Sequence, residues 1–226
     1  MKTIFITGGS TGIGAAAVKK FVAQGWNVGF MDINKEAAVQ LMEELKCPER
    51  LIFVEGNTRV RADIHRAVEA TVATFGKLDS VFANAGIHRA NTLLDIADEE
   101  LDLMIQTNIY GTVNTLREAI PHIVEAGGGT VVINASDQWF VGKAHSFAYG
   151  LTKGALGQIT RSLSIDLGPR ISVSMQCARE PSTHLWWIIS SRSLPKRTIA
   201  PLTTIGVKRT RFMRAALWGA PKKWPR

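Results

Sequence analysis

Thr7-Gly8-Gly9-Ser10-Thr11-Gly12-Ile13-Gly14 is read here as a turn from a strand into a helix. The apolar run Thr3 to Ile6 before it has the character of a buried strand. After it, Ala15, Val18, Phe21 and Val22 recur at helical spacing. In that context Gly8 supplies the sharp turn, Gly12 lets backbone approach a ligand, and Gly14 lets the helix lie against the strand. The helix then presents its free N–H groups and positive dipole end outward, where a pyrophosphate sits well. The spacing is G-x-x-x-G-x-G, and no Lys-Ser/Thr pair follows, so a nucleoside-triphosphate P-loop is not expected. An ordinary glycine-rich turn is the plain alternative.

At 226 residues the chain is long enough for one large domain with a buried core. No segment approaches the roughly 18 uninterrupted apolar residues of a membrane span, so no membrane partner is expected. Met1 leads almost directly into the first strand, without a leader, and a cytoplasmic protein is expected. Cys47 and Cys177 lack metal or redox spacing. His65, His88, His122, His145 and His184 are scattered, so no metal site is expected. The net charge of +8 is unevenly placed. Residues 1–170 carry 16 Lys/Arg against 18 Asp/Glu, whereas residues 171–226 carry 11 against one acid, Glu180. With the basic excess confined to a tail that holds no recognisable motif, a nucleic-acid partner is not expected.

Working outward from the turn, strands and helices alternate. Trp26 to Met31 reads as a second strand ending at Asp32, and Lys35 to Leu45 as a helix. Leu51 to Glu55 reads as a third strand, with Asn57 and Thr58 at its carboxyl end, where parallel sheets collect ligands. A helix over Asp63 to Phe75 and a strand over Ser80 to Ala83 lead to Asn84-Ala85-Gly86. Its small residues let a flat ring or ribose pass close to backbone; a simple turn is the alternative. Asp98 to about Ile120 reads as one continuous helix with Asn108 inside it, Thr130 to Asn134 as a fifth strand, and Tyr149 to Leu167 as a helix ended by Gly168-Pro169. This order predicts an α/β fold with a doubly wound parallel sheet of Rossmann type.

Asp32 lies about 20 residues beyond the turn, where such folds grip the adenine ribose, and a carboxylate there accepts from both hydroxyls while repelling a 2′-phosphate. NAD is therefore expected over NADP, although a strand-end Asp also serves as a helix cap. Tyr149 and Lys153 are i and i+4 and share one helix face. A free Tyr titrates at about 10. A neighbouring ammonium and an oxidised nicotinamide are expected to lower that value and make the phenol an acid/base. Ser136, just past a strand end, is placed to bond the same substrate oxygen.

This set resembles the classical short-chain dehydrogenase/reductase family, in Thr7-Gly8-x-x-x-Gly12-Ile13-Gly14, Asn84-Ala85-Gly86, Asn108, Ser136 and Tyr149-x-x-x-Lys153, with Ser136 and Tyr149 thirteen apart. The resemblance implies that Tyr149 is the catalytic acid/base and that Lys153 holds the nicotinamide ribose and tunes the phenol. It implies that Ser136 positions the carbonyl or hydroxyl and that Asn108 anchors a water in a proton relay. The cofactor set is then Gly8, Ser10, Gly12, Ile13, Gly14, Asp32, Asn57, Thr58, Asn84, Ala85 and Gly86, with Tyr149 and Lys153. Asn57 departs from the family's usual Asp. The implied activity is NAD(H)-dependent hydride transfer on a small secondary alcohol or ketone. The implied assembly is a homodimer or homotetramer. The alternative is a catalytically inactive NAD-binding or regulatory protein. Gln138, Trp139 and His145 are the candidate substrate residues.

The resemblance runs from about residue 3 to 170. The family's sixth strand, Pro-Gly turn, covering helices and seventh strand are not legible after Arg170. Residues 171–226 hold four of the six Trp and are expected to be an aberrant basic tail on a 1–170 domain, with the sheet incomplete at that edge. Shifting the codons by one base permits, with choices at the free bases, the family-like run Asn-Ala-Val-Cys-Pro-Gly-Thr-Val-Asp-Thr-Pro-Leu-Val-Asp over residues 174–188, in which Met175-Gln176 forces Ala, Trp186-Trp187 Val and Trp187-Ile188 Asp, and a frameshift near Pro169-Arg170 is expected. Loss of a pocket wall would then weaken turnover.

Overall fold

The computed structural model describes residues 1–176. Strands β1 (Thr3–Thr7), β2 (Asn27–Asp32), β3 (Leu51–Glu55), β4 (Ser80–Ala83), β5 (Gly129–Asn134) and β6 (Ile171–Gln176) form one sheet in the order β3-β2-β1-β4-β5-β6. Every pairing in it is parallel. Between the strands run α1 (Gly12–Ala23), α2 (Lys35–Leu45), α3 (Arg61–Phe75), α4 (Asp98–Ile105), α5 (Gly111–Glu125) and α6 (Phe147–Asp166). From β1 the chain winds outward through β2 to β3, then returns to place β4 on the other side of β1. The crevice at the carboxyl ends of β1 and β4 is the point where such sheets take ligands.

Side-chain alternation divides the core into two layers. Phe5 faces one way, with Met31, Ile64, Val68, Leu116, Ile123 and Leu156, so that α3, α5 and α6 cover that face. Ile4 and Ile6 face the other way, with Val18, Val22, Val28, Phe30 and Leu41, under α1 and α2. Each buried side chain of this size contributes roughly 1.5–3 kcal/mol over its exposed state, and β1 is buried throughout because it has cover on both faces.

Two expectations are corrected. The helix expected over Asp98 to about Ile120 is interrupted by a π-helical turn, Gln106–Tyr110, with Asn108 buried at its centre. The Asn108 amide bonds the backbone of Ile87 outside the helix, and the Thr112 hydroxyl donates to the Asn108 carbonyl at 2.8 Å. These bonds compete with the regular helical ladder. The sixth strand, read as missing, is present. In β6, Ile171, Val173 and Met175 enter the core, and the residues pair with β5 from Gly129↔Ile171 to Asn134↔Gln176. A strand covered on both faces tends to read as an unbroken apolar run, and Ser172 and Ser174 break that run. Ser174 is accommodated because its hydroxyl donates to the Val131 carbonyl at 3.4 Å. The sheet thus continues past the 170 limit. The rest of the expected aberrant tail, with the frameshift reading and the lost pocket wall that rest on it, falls after Gln176, outside the described residues.

Candidate active site

At the crevice the glycine turn is clasped from the neighbouring strand. Asn84, following β4, donates through Nδ2 to the carbonyls of Thr7 and Gly8 at 3.0 and 2.9 Å. The backbone N–H groups of Asn84 and Ala85 donate to Thr7 Oγ1 at 3.1 and 3.2 Å. Asn134 at the end of β5 donates to Asn84 Oδ1 at 2.9 Å, and its own carbonyl accepts from Lys153 Nζ at 2.7 Å. One chain of hydrogen bonds therefore runs from the glycine turn to the helix face that carries Tyr149. Replacing Asn84 by Ala strands these carbonyls at about 1–3 kcal/mol. A melting temperature lowered by roughly 2–10 °C is the expected result, and an unchanged melt would show the clasp to be dispensable.

The turn suits an anion. Ser10 is buried and its hydroxyl has no partner. Helix α1 has no side-chain cap at Thr11 and no acid in its first turn, so its N–H groups are free of competing carboxylate. Gly12 has a φ of 53° and open space where a Cβ would stand, and Ile13 beside it is exposed. Asp32 reaches the same turn: Oδ2 accepts from Ser10 N and Oδ1 from Asn34 N, both at 3.0 Å. The residues present thus fit a dinucleotide. The Asn57 side-chain oxygen accepts from Arg59 N at 3.0 Å, which leaves its NH₂ as the outward group. Thr58 is buried against Gly111 at the start of α5.

On the other side of the crevice stand Ser136, Tyr149 and Lys153. Ser136 leaves β5 in extended backbone and opens a short 3-10 turn, Asp137–Trp139. Tyr149 lies in the first turn of α6, with the Ser136 hydroxyl among the groups that act on its phenol. Lys153, buried one turn on, places Nζ 5.3 Å from the Tyr149 ring centre. Asn108 is close by: Nδ2 donates to the Ile87 carbonyl at 2.9 Å and to Thr152 Oγ1 at 3.0 Å, and Oδ1 accepts from Ile87 N at 2.8 Å. A Cβ on Gly86 would stand 3.2 Å from Asn108 Oδ1 and 3.8 Å from Lys153 Nζ, so Gly86 closes this corner.

Burial pushes the Tyr149 phenol above the ordinary tyrosine value; the Ser136 hydrogen bond pulls it down and the Asp137 carboxylate pushes it up. The expected lowering is for a phenol beside both the ammonium and an oxidised nicotinamide; the protein by itself holds Tyr149 above its ordinary value. The Lys153 ammonium is directed at the Asn134 carbonyl, and desolvation is the largest influence on the phenol.

Of the three residues read as substrate candidates, Gln138 is buried with Oε1 unpartnered, 3.4 Å from where a Cβ on Gly150 would be, beside Tyr149. Trp139 instead packs on Gly157, further along α6, with Arg161 over its ring at 4.6 Å. His145 is exposed at a φ of 52°, and its carbonyl accepts from Asn91 N at 3.0 Å. Three site residues escaped the sequence reading. Asn134 links the two halves, His88 packs edge-on against Tyr149 with ring centres 4.7 Å apart, and Asp137 accepts from Ser136 at 2.9 Å. Adjacency to Ser136 was the signal available for Asp137. Among the described residues no cluster of three His, Cys, Asp or Glu is placed to hold a metal, and no helix is long and apolar enough to cross a membrane.

A family model described as short chain dehydrogenase matches residues 2–191. The oxidoreductase asL5 of Sarocladium schorii is 37% identical over 175 residues, covering 76% of this chain and 70% of that protein. The L-fucose dehydrogenase of Mus musculus is 32% identical over 202 residues, covering 88% and 72%. The crystal structure of a 3-ketoacyl-(acyl-carrier-protein) reductase from Brucella melitensis, complexed with NADH, aligns with a TM-score of 0.74 at 30% identity, over 78% of this chain and 74% of that one.

Proposed function

The chain belongs to the short chain dehydrogenase family and is an oxidoreductase of that type, and on this premise we propose that it transfers a hydride between NAD(H) and a small secondary alcohol or ketone. The observation that carries the reading is the hydrogen-bond chain from the glycine turn through Asn84 and Asn134 to Lys153, whose Nζ lies 5.3 Å from the Tyr149 ring centre. It holds a phosphate-binding bend and a proton-transferring group in fixed relation across one crevice. Gly8, Gly12, Gly14 and Ser10 would receive the pyrophosphate, with Ile13 beside it. Asp32 would take the adenine ribose, Asn57 and Thr58 the adenine side, and Asn84, Ala85, Gly86 and Lys153 the nicotinamide ribose. Bound there, the nicotinamide would accept or return the hydride. Tyr149 takes the hydroxyl proton of the alcohol, or gives one to the ketone oxygen. Ser136 holds that oxygen in place, and Lys153 keeps a positive charge beside the phenol. Asn108 braces Ile87 and Thr152, and so the wall next to Lys153. Gln138 faces the substrate. Incubation of the full chain with NAD and a panel of alcohols that includes L-fucose should produce NADH by absorbance; a panel without turnover, with NAD bound, would favour a non-catalytic protein.

The preference for NAD over NADP rests on Asp32. Its carboxylate would accept from the ribose hydroxyls and repel a 2′-phosphate. Asp32→Asn keeps the side chain's shape and one acceptor oxygen while removing the charge. The ratio of kcat/KM for NAD to that for NADP is expected to fall by about tenfold or more. A parent protein that uses both cofactors equally would end this part of the reading. Assembly as a homodimer or homotetramer belongs to the same proposal. It is supported by the exposed Tyr110, Leu151 and Ile165, and light scattering of the purified chain tests it. A cytoplasmic location completes it.

A further inference from the structure

The Ser136 hydroxyl carries one proton and two lone pairs. Its proton is donated to Asp137 Oδ1 at 2.9 Å, and one lone pair accepts from Gln138 N at 3.3 Å. The same hydroxyl is one of the groups that act on the Tyr149 phenol. While Tyr149 is neutral these demands are compatible, because the phenol keeps its own proton and makes no claim on that of Ser136. They conflict once negative charge develops on Tyr149 or on a substrate oxygen, since either now needs the proton that Asp137 holds. Asp137 is itself anchored, with Oδ2 3.3 Å from Lys143 Nζ, and its side chain is only 22% exposed.

We propose that Asp137, held by Lys143, is a positioning residue that competes with the reacting oxygen for the single proton of Ser136, so that its charge sets how alkaline the medium must be for alcohol oxidation. The titratable groups around the phenol are Asp137 from the loop after β5, Lys153 from α6 and His88 from the loop after β4, and Lys143 stands behind Asp137. Asp137 is the acid among them. A carboxylate one hydrogen bond from the serine opposes formation of the phenolate, and the Lys143 ammonium offsets part of that opposition. The direction in which Asp137 pushes Tyr149 agrees with this geometry.

The kinetic side of the proposal rests on the hydride-transfer reading; its spectroscopic side does not. The chain has two tyrosines, Tyr110 and Tyr149. In full-length protein carrying Tyr110→Phe, phenolate absorbance against pH therefore reports Tyr149 alone, with no cofactor or substrate added. Asp137→Asn is expected to lower the midpoint by about one pH unit, and Lys143→Ala to raise it by about half a unit. Lys143→Ala on top of Asp137→Asn should move it no further. Should Asp137→Asn lose its cooperative melt, the single Lys143→Ala change at an exposed lysine carries the test. A midpoint in Asp137→Asn within about 0.2 unit of the parent, a Lys143→Ala shift of zero or downward, or a lysine effect that persists without the carboxylate would each overturn the proposal. The alkaline limb of kcat/KM for whichever alcohol turns over should move in the same order. Absence of turnover with the phenol midpoints shifted as expected would defeat the activity assignment and leave the role of Asp137 standing.

Discussion

Tyr149→Phe is expected to reduce kcat/KM by about 10²–10⁴-fold, the usual contribution of a positioned acid/base, with the affinity for NAD changed by less than about twofold. The substitution removes one oxygen and little else. The ring keeps its edge-on contact with His88, and the Lys153 ammonium stays over the ring face. Lys153 is held by the Asn134 carbonyl, a bond the substitution does not touch. A loss in turnover alone is then assignable to the proton. The sign of the pH dependence follows from the same environment. Burial raises the phenol above its ordinary value, so the neutral form dominates at neutral pH in the protein by itself. Oxidation needs the phenolate to receive the hydroxyl proton; its rate should climb with pH toward the Tyr149 midpoint. Reduction needs the phenol as donor and should fall only above that midpoint. Tyr149→Phe should flatten both limbs. A variant retaining more than about a tenth of the parent's kcat would remove Tyr149 from the acid/base role.

The parts of this molecule legible from sequence are those whose cause is local. Gly8 to Gly14 between an apolar run and a helical one, Asp32 at a strand end and the Tyr149–Lys153 spacing are each set within a few residues, and the parallel α/β order follows from the alternation of elements. The missed parts depend on partners distant in the chain. Asn84 looked like one member of a small-residue turn, yet its amide is bonded to Thr7, Gly8 and Asn134, residues brought near by the β1–β4–β5 adjacency. Asn108, in the π-helical turn, is bonded to Ile87 and Thr152, neither of which is nearby in sequence. The β6 strand was hidden for a different reason. Its Ile171, Val173 and Met175 alternate plainly, but Ser172 and Ser174 break the apolar run expected of a parallel strand, and Ser174 is matched only by the distant Val131 carbonyl. Asp137 shows a further limit. The spacing of Tyr149 and Lys153 drew attention to the positive neighbour, whereas burial and a negative neighbour decide the direction in which the phenol moves.

Gly14→Ala and Gly12→Ala should separate two uses of glycine in one turn. A Cβ on Gly14 would overlap the carbonyl oxygen of Gly8 and stand 2.7 Å from Asn84 Nδ2. Neither can yield cheaply: Gly8 N donates to Met31 O at 2.8 Å, its carbonyl accepts from Asn84 at 2.9 Å, and its φ is 66°. Overpacking ordinarily costs about 1–3 kcal/mol, and a clash against doubly tethered backbone belongs at or above the top of that range. A melting temperature lowered by about 6–12 °C is expected, together with loss of NAD binding, because relief requires α1 to lift off β1. Gly12 is the opposite case. Its φ of 53° makes a Cβ cost about 1–2 kcal/mol in strain, but nothing lies within 4 Å. Gly12→Ala should therefore melt only a few degrees lower and still lose NAD affinity by about tenfold or more, since the methyl would fill the space in front of the α1 N-terminus that an approaching pyrophosphate needs. Differential scanning fluorimetry with and without NAD reads both effects. If Gly12→Ala bound NAD like the parent, the open side of the turn would not be where the phosphates come, and the cofactor would have to be placed elsewhere on the sheet.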